Sequence, residues 1–195
     1  MAKKRRHQTA YQKAYKKIEQ EGRKQCYLKY GAAGLCLLRS YGKKQRAILR
    51  FFELTGDVWR DCAKDNMHSM IEMCEQETGI EIQCGNGKSW HDLPYLNASI
   101  DTGRYTNAQL VYIRQKQVEW IPAQVMACIL LSLRRKYKFG FDRCARFYSQ
   151  VQEIEAEFGG DPEKIRDACL SETGVNVVEI VTERKKRSDG EENLS

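Results

Sequence analysis

The chain has 195 residues, 42% hydrophobic and 30% charged, with a formal net charge of +7. Such a composition supplies one sizeable core or two small packed units, and it excludes collagen-like and disordered chains. The longest apolar run, Val125 to Leu133, is far below the roughly 20 residues a membrane span requires, and no apolar segment follows the basic start, so neither a membrane span nor secretion is expected.

In chain order, a basic arm comes first. Residues 1–24 carry nine cations, among them Lys3, Lys4, Arg5, Arg6, Lys13, Lys16 and Lys17, against Glu19 and Glu21. The arm therefore holds the whole positive excess, and the remaining residues balance at 24 basic against 24 acidic. Tyr11, Tyr15 and Ile18 recur at helical spacing, which predicts an arm helix with one apolar stripe.

The body reads as a duplication. Cys74, Glu77, Thr78 and Gly79 recur as Cys169, Glu172, Thr173 and Gly174, with Ile80 and Ile82 matched by Val175 and Val177. Upstream, Arg50-Phe51-Phe52 matches Arg146-Phe147-Tyr148, and Tyr41-Gly42 is set against Phe139-Gly140 as the close of each first helix. Few prolines and helical spacing give a mainly α fold: two copies of a three-helix unit, with at most a short strand pair formed by the alternating tails after Gly79 and Gly174.

In the first copy, Ala33, Leu37 and Leu38 line the first helix. Ile48, Phe51, Phe52, Val58 and Cys62 line the second, and Met67, Met70, Ile71 and Cys74 the third. In the second copy, Pro122 is placed to open the first helix, and Phe147, Val151, Ile154 and Phe158 form the buried stripe of the next. Gly159-Gly160 stops that helix; Asp161-Pro162-Glu163 caps and starts the third, which Gly174 ends. Between the copies, Thr106 or Asn107 caps a linking helix through Trp120. The expected organisation is thus 1–30, basic arm and arm helix; 31–82, the first repeat; 83–121, insert and linking helix; 122–182, the second repeat; and 183–195, a polar flexible tail.

Catalytic and metal signatures are weak. Eight cysteines contain no Cys-x-x-Cys pair, and most fall in apolar helical segments where a thiol packs as a small hydrophobe. Cys84 and His91 could supply two ligands of a zinc site, but the paired spacing is missing. Gly85-Asn-Gly87-Lys88-Ser89 lacks the first glycine of a phosphate loop, since Ile82 stands there. His7, His68 and His91 are scattered, and Glu77 and Glu172 are repeat-related carboxylates in final helical turns. No catalytic residue, metal or cofactor is assigned.

Cations are better organised. Lys43, Lys44, Arg46 and Arg50 gather where the first copy's second helix begins. Arg134, Arg135, Lys136, Lys138, Arg143 and Arg146, interrupted only by Asp142, do the same in the second copy. Acids follow each group. Helix starts favour acids over bases, so these clusters gain nothing from the helix dipole and make sense if an outside anion meets them. Solvated faces paired to the next helix are the alternative. With Tyr41, Tyr137, Phe139 and Phe141 alongside, the arm and the two corners are the candidate surface for nucleic acid or a protein partner.

Lys136-Tyr137-Lys138-Phe139-Gly140-Phe141-Asp142-Arg143-Cys144-Ala145-Arg146-Phe147, with the Glu172-Thr173-Gly174-Val175 ending, resembles small helical proteins from phages and integrated elements of Gram-positive bacteria. The resemblance covers the second copy, and the doubled unit here departs from the usual single one. It implies a mobile-element protein of the bacterial host cytoplasm, non-enzymatic, whose partner is nucleic acid or a host nucleoprotein complex such as a CRISPR nuclease; a homo-oligomer is left open. Two other classes stand beside this one: a DNA-binding regulator with a helix-turn-helix-like pair around Gly140, and a metal-dependent nuclease using Glu77 and Glu172.

Overall fold

Thr9 is a helix N-cap. Its hydroxyl accepts from the Gln12 backbone while the Gln12 side chain returns to the Thr9 N–H, so two otherwise orphaned donors are satisfied together. In the computed structural model, which describes residues 9–63, 67–84, 89–92 and 105–182, this cap opens α1, Ala10–Arg39. The helix runs unbroken through residue 30, so the arm helix and the first helix of the first repeat are one element. α2 (Gln45–Ala63) and α3 (Met67–Thr78) complete the first copy, and α4 (Asn107–Arg135), α5 (Phe141–Glu157) and α6 (Pro162–Thr173) form the second. The protein is mainly α, and no helix among the described residues is long and apolar enough to cross a membrane.

Pro122 does not open a helix. Thr106 builds the same reciprocal cap with Gln109 and starts α4 fifteen residues earlier, leaving Pro122 inside it. Proline cannot donate to the carbonyl four residues back, that of Val118, but burial of the whole segment from Trp120 to Leu133 except Ile121 holds the helix through that gap. The strand tails are also corrected. Among the described residues the only β pairing is an isolated bridge between Gln83 and Ser89, and residues 177–182 are helical. Asn176 explains the latter, because its side chain accepts from the Val178 N–H as a helix cap does. The caps expected at Asp161 and Gly174 are present. Asp161 accepts from the Glu163 and Lys164 backbones, which holds its carboxyl below the usual range, and Gly174 takes a left-handed φ of 71°.

α1 and α4 lie side by side and parallel. The Arg114 guanidinium sits 6.0 Å over the Tyr15 ring, a Cβ on Gly22 would meet Val118 and Ile121, and Tyr41 reaches Phe139 at 5.7 Å between ring centres. Partner numbers rise together along both helices. The core starts near Leu28 and Trp120, so the first turns of both helices extend beyond it as a mostly exposed pair.

Around this pair the two copies exchange helices. α6 packs on α1, and α3 packs on α4; α5 likewise leans on α1, and α2 on α4. Gly31 and Gly34 let α6 approach, since a Cβ at Gly31 would fall 2.5 Å from Ile165 Cγ2 and one at Gly34 2.9 Å from Cys169 Sγ. On the other side Cys128 Sγ lies 3.0 Å from Met70 Sδ. The ion pairs follow the same exchange. Arg39 holds Glu172 through two nitrogens, at 2.9 and 2.5 Å, and Arg135 holds Glu77, the closest approach again being 2.5 Å. Each third helix is therefore tied by its last turn to the first helix of the other copy, and a pseudo-two-fold axis runs between α1 and α4.

Arg39 keeps the Glu172 carboxyl below its usual range, mainly through their hydrogen bonds. A lowered folded-state value means the stabilisation is complete above the unfolded pKa and disappears as pH falls through the folded one. Glu172→Gln is therefore expected to flatten the acid limb of a stability–pH curve. Screening of this part-exposed pair limits the loss at neutral pH to about 0.5–1 kcal/mol. Parallel acid limbs in urea melts of the two proteins would refute it.

Candidate nucleic-acid or partner interface

The two basic corners begin where α1 and α4 end. In both, an N–H reaches back six residues to close the helix, Lys43 to the Leu37 carbonyl and Phe139 to that of Leu133. That closure needs a left-handed residue one position earlier. Gly42 supplies it at φ 60°, and Lys138 supplies it at φ 56°. Gly42 thus corresponds to Lys138 and not to Gly140, which is extended and precedes α5. A side chain in this region costs about 1 kcal/mol relative to glycine. Lys138→Gly is expected to raise stability by about 0.5–1 kcal/mol in chemical denaturation, with no gain sinking the assignment.

With the register set this way, aromatic contacts across the axis match. Tyr41 packs on Phe147 at 5.9 Å, and Tyr137 on Phe51 at 5.5 Å. Burial pushes both phenols up, partly offset by Arg146 and Arg143 near Tyr41 and by Arg50 near Tyr137, so both rings stay neutral at physiological pH. Tyr41 also touches Phe139, which brings the two corners into direct contact. Stretches 96 residues apart in sequence thereby form one end of the molecule.

The cations there fall into three states. Lys43, Lys44, Arg46, Lys136, Lys138 and Arg146 are exposed and have no acidic partner among the described residues. Arg143 lies 3.9 Å over the Phe139 ring; Arg134 lies 4.7 Å over Phe141 and donates to the Phe139 carbonyl. Stacking occupies the guanidinium face and leaves N–H edges for an oxyanion. Arg50 pairs with Glu53 at 2.9 Å with both side chains well exposed, a contact easily exchanged. Arg135 leaves the candidate surface, because Glu77 neutralises it.

Helix starts at this end add donors. α1, α4 and α6 are capped by Thr9, Thr106 and Asp161. By contrast α2 begins after Lys44 with no acid in its first turn, and α5 begins after Gly140 with no side-chain cap. One exposed acid, Asp142, stands in the first turn of α5; the others come farther along, at Glu53, Asp57 and Asp61 on α2 and at Glu153 and Glu157 on α5. Apart from Asp142, the patch is basic at its centre, and it is bordered by acids.

Arm and corners do not form one surface. Lys13, Lys16 and Lys17 are exposed at the opposite end of α1, about 33–39 Å from Arg39 at 1.5 Å per residue. Lys3, Lys4, Arg5 and Arg6 lie outside the described residues, as do the tail from 183 and the Gly85–Lys88 part of the polar turn. Glu77 and Glu172 are held by arginines in separate places. His91 Nε2 and the Trp90 indole N–H both meet Glu75 Oε2, at 3.2 and 2.9 Å, pinning the insert to α3. Among the described residues no three His, Cys, Asp or Glu side chains gather as metal ligands. Burial pushes the Cys36 and Cys74 thiols up to about 12 and Cys84 to about 11, so these cysteines stay protonated and pack as apolar groups.

The matched arginines and glutamates were visible in the sequence, at 39 and 135 and at 77 and 172, but not who pairs with whom. No family model, curated protein or solved structure matches the chain.

Proposed function

We propose that this chain is a non-enzymatic accessory protein of a phage or mobile element that binds a nucleic-acid-processing complex in the bacterial cytoplasm, most concretely as an inhibitor of a host CRISPR nuclease. The observation that carries this reading is the joining, at one end of the fold, of two cation groups, three from each copy, that have no acidic partner among the described residues. Cations that no internal acid offsets raise self-repulsion, and they are compensated when phosphates or carboxylates of a partner arrive. The stacked Arg143 and Arg134 add preorganised donors.

A sequence-selective regulator is the second reading, favoured by the two-fold relation of two helix–turn–helix corners. Dimers of that kind set their recognition-helix starts about 34 Å apart to reach successive major grooves. Here the starts of α2 and α5 flank corners in contact, which weighs against it.

Recovering the tagged full chain from host cells, at low and at high salt, tests the first reading. A nuclease complex is expected to accompany the protein at low salt, to leave at high salt, and to be missing when these six cations are changed to glutamine. Addition of the protein should lower cleavage by the recovered nuclease. Capture and cleavage that ignore both salt and the six changes would remove the proposal.

A further inference from the structure

We infer that a soft monovalent metal ion, Cu(I), binds where α2, α3 and α4 meet, held by the thiols of Cys62 and Cys128 and the thioethers of Met70 and Met73. The inference is separate from the proposed function and stands or falls without it. The sulfurs come together in two adjoining pairs. Cys128 on α4 donates its S–H to Met70 Sδ on α3 at 3.0 Å. The Arg135 guanidinium joins the other two, donating to Cys62 Sγ in the last turn of α2 at 3.8 Å and to Met73 Sδ on α3. Burial above all opposes ionisation of Cys128; Cys62 is near enough to add to that, and Arg135 near enough to work against it. Cys62, Met70 and Cys128 are buried, and Met73 is half-buried at the rim.

Packing alone does not call for sulfur at these places, and the duplication supplies the comparison. The corresponding positions in the other seam are Phe158, Ala32, Ile165 and Ala168, for Cys62, Cys128, Met70 and Met73 respectively. The frame around them is the same. Arg39 holds Glu172 and lies 5.9 Å over the Phe158 ring, as Arg135 holds Glu77 and reaches Cys62. One seam is therefore closed by hydrocarbon where the other carries sulfur from three helices. Cys74 is also near but is not counted as a ligand. It meets Thr78 as its counterpart Cys169 meets Thr173, alike in both seams.

The donor set selects the ion. Zinc sites are built from thiolates, imidazoles and carboxylates, usually four of them, whereas a thioether is a ligand of choice for Cu(I) beside thiolate. Binding replaces each S–H bond by an S–Cu bond and releases both protons, and the copper stays Cu(I) throughout. One positive ion with two thiolates leaves a single negative charge in a buried place. Arg135, beside both thiols, balances it.

The test uses the reduced full chain without oxygen, with Cu(I) supplied as its coloured bicinchoninate complex. One Cu(I) per chain should pass to the protein, and the thermal midpoint should rise as it does. X-ray absorption at the copper edge should show sulfur neighbours only. Cys62→Ser and Cys128→Ala should each weaken binding by more than the roughly 10–100-fold that losing an outer hydrogen-bond partner costs a metal site. Met70→Ile/Met73→Ala installs the residues that pack in the other seam, and it should weaken binding at least about 10-fold with circular dichroism unchanged. Cys84→Ala should bind as the parent does. Failure to take Cu(I) from bicinchoninate, nitrogen or oxygen neighbours, uptake spread over several ions per chain, or parental affinity in either cysteine variant would each overturn the inference. So would parental affinity in the folded double methionine variant, which decides the matter if a cysteine variant does not fold.

Discussion

Cut between residues 92 and 105, the chain should give two pieces that fail to fold separately and refold on mixing. The expectation comes from the exchange of helices. In the first piece α3 and α2 would lose α4, the surface they pack on, and in the second α6 and α5 would lose α1. Phe51, Phe52, Met70 and Ile71 are almost wholly buried in the intact chain, as are Phe147, Val151 and Ile165. Each such side chain contributes about 1.5–3 kcal/mol when buried, so exposing three or four per piece forfeits about 5–12 kcal/mol, comparable with the roughly 5–15 kcal/mol that holds a typical domain. Circular dichroism should show no cooperative melt for either piece at micromolar concentration. The mixture should melt cooperatively as a one-to-one complex whose midpoint rises with concentration. A piece that melts cooperatively as a monomer would mean that each copy is a domain in its own right.

The same exchange marks the limit of what the sequence makes legible. Caps are local chemistry, and they read correctly at Thr106, at Asp161-Pro162-Glu163 and at Gly174. The buried stripes of α2 and α5 read correctly too, since Phe51 and Val58, or Phe147 and Val151, recur with the helical period and are buried. The continuity of α1 was hidden because its packed face changes character. After Tyr11, Tyr15 and Ile18, contact passes to Gly22, Gly31 and Gly34, and glycine on a helix interface looks like a gap in an apolar pattern. Pro122 misled for the opposite reason: its local rule is real but was outweighed by burial of the segment around it. The candidate surface was legible as two clusters of residue types. Their meeting was not, because it depends on α1 and α4 running parallel, and neither helix encodes that by itself. A duplication announces equivalence; it does not say whether equivalent helices pack within a copy or across copies.

Lys29→Met is expected to cost about 3–5 kcal/mol, the largest effect of a single charge change in this protein, although it places an apolar side chain in an apolar surrounding. Lys29 sits in the part of α1 where the core begins, with its side chain 11% exposed, and its ammonium lies 2.7 Å from Glu155 on α5, itself 16% exposed. This is the most buried of the ion pairs that join the two copies; those of Arg39 and Arg135 are about a third exposed on the arginine side. Removing the lysine leaves a carboxylate that was desolvated on folding and has lost its counter-charge. The cost is therefore that of an unpaired buried charge and not that of one hydrogen bond. Adding Glu155→Leu to Lys29→Met removes the stranded charge, and the double variant should recover to within about 1 kcal/mol of the parent or exceed it, since apolar replacements of buried pairs are often neutral or stabilising. Urea unfolding of the four proteins closes the cycle. A coupling energy above about 2 kcal/mol is expected for groups in contact at this depth. If the single and double variants lose the same stability, the pair contributes only packing, and the cross-copy link between α1 and α5 is apolar. If Lys29→Met alone costs less than about 1 kcal/mol, Glu155 finds water in the folded state, and the seam between the copies is more open than the structure has it.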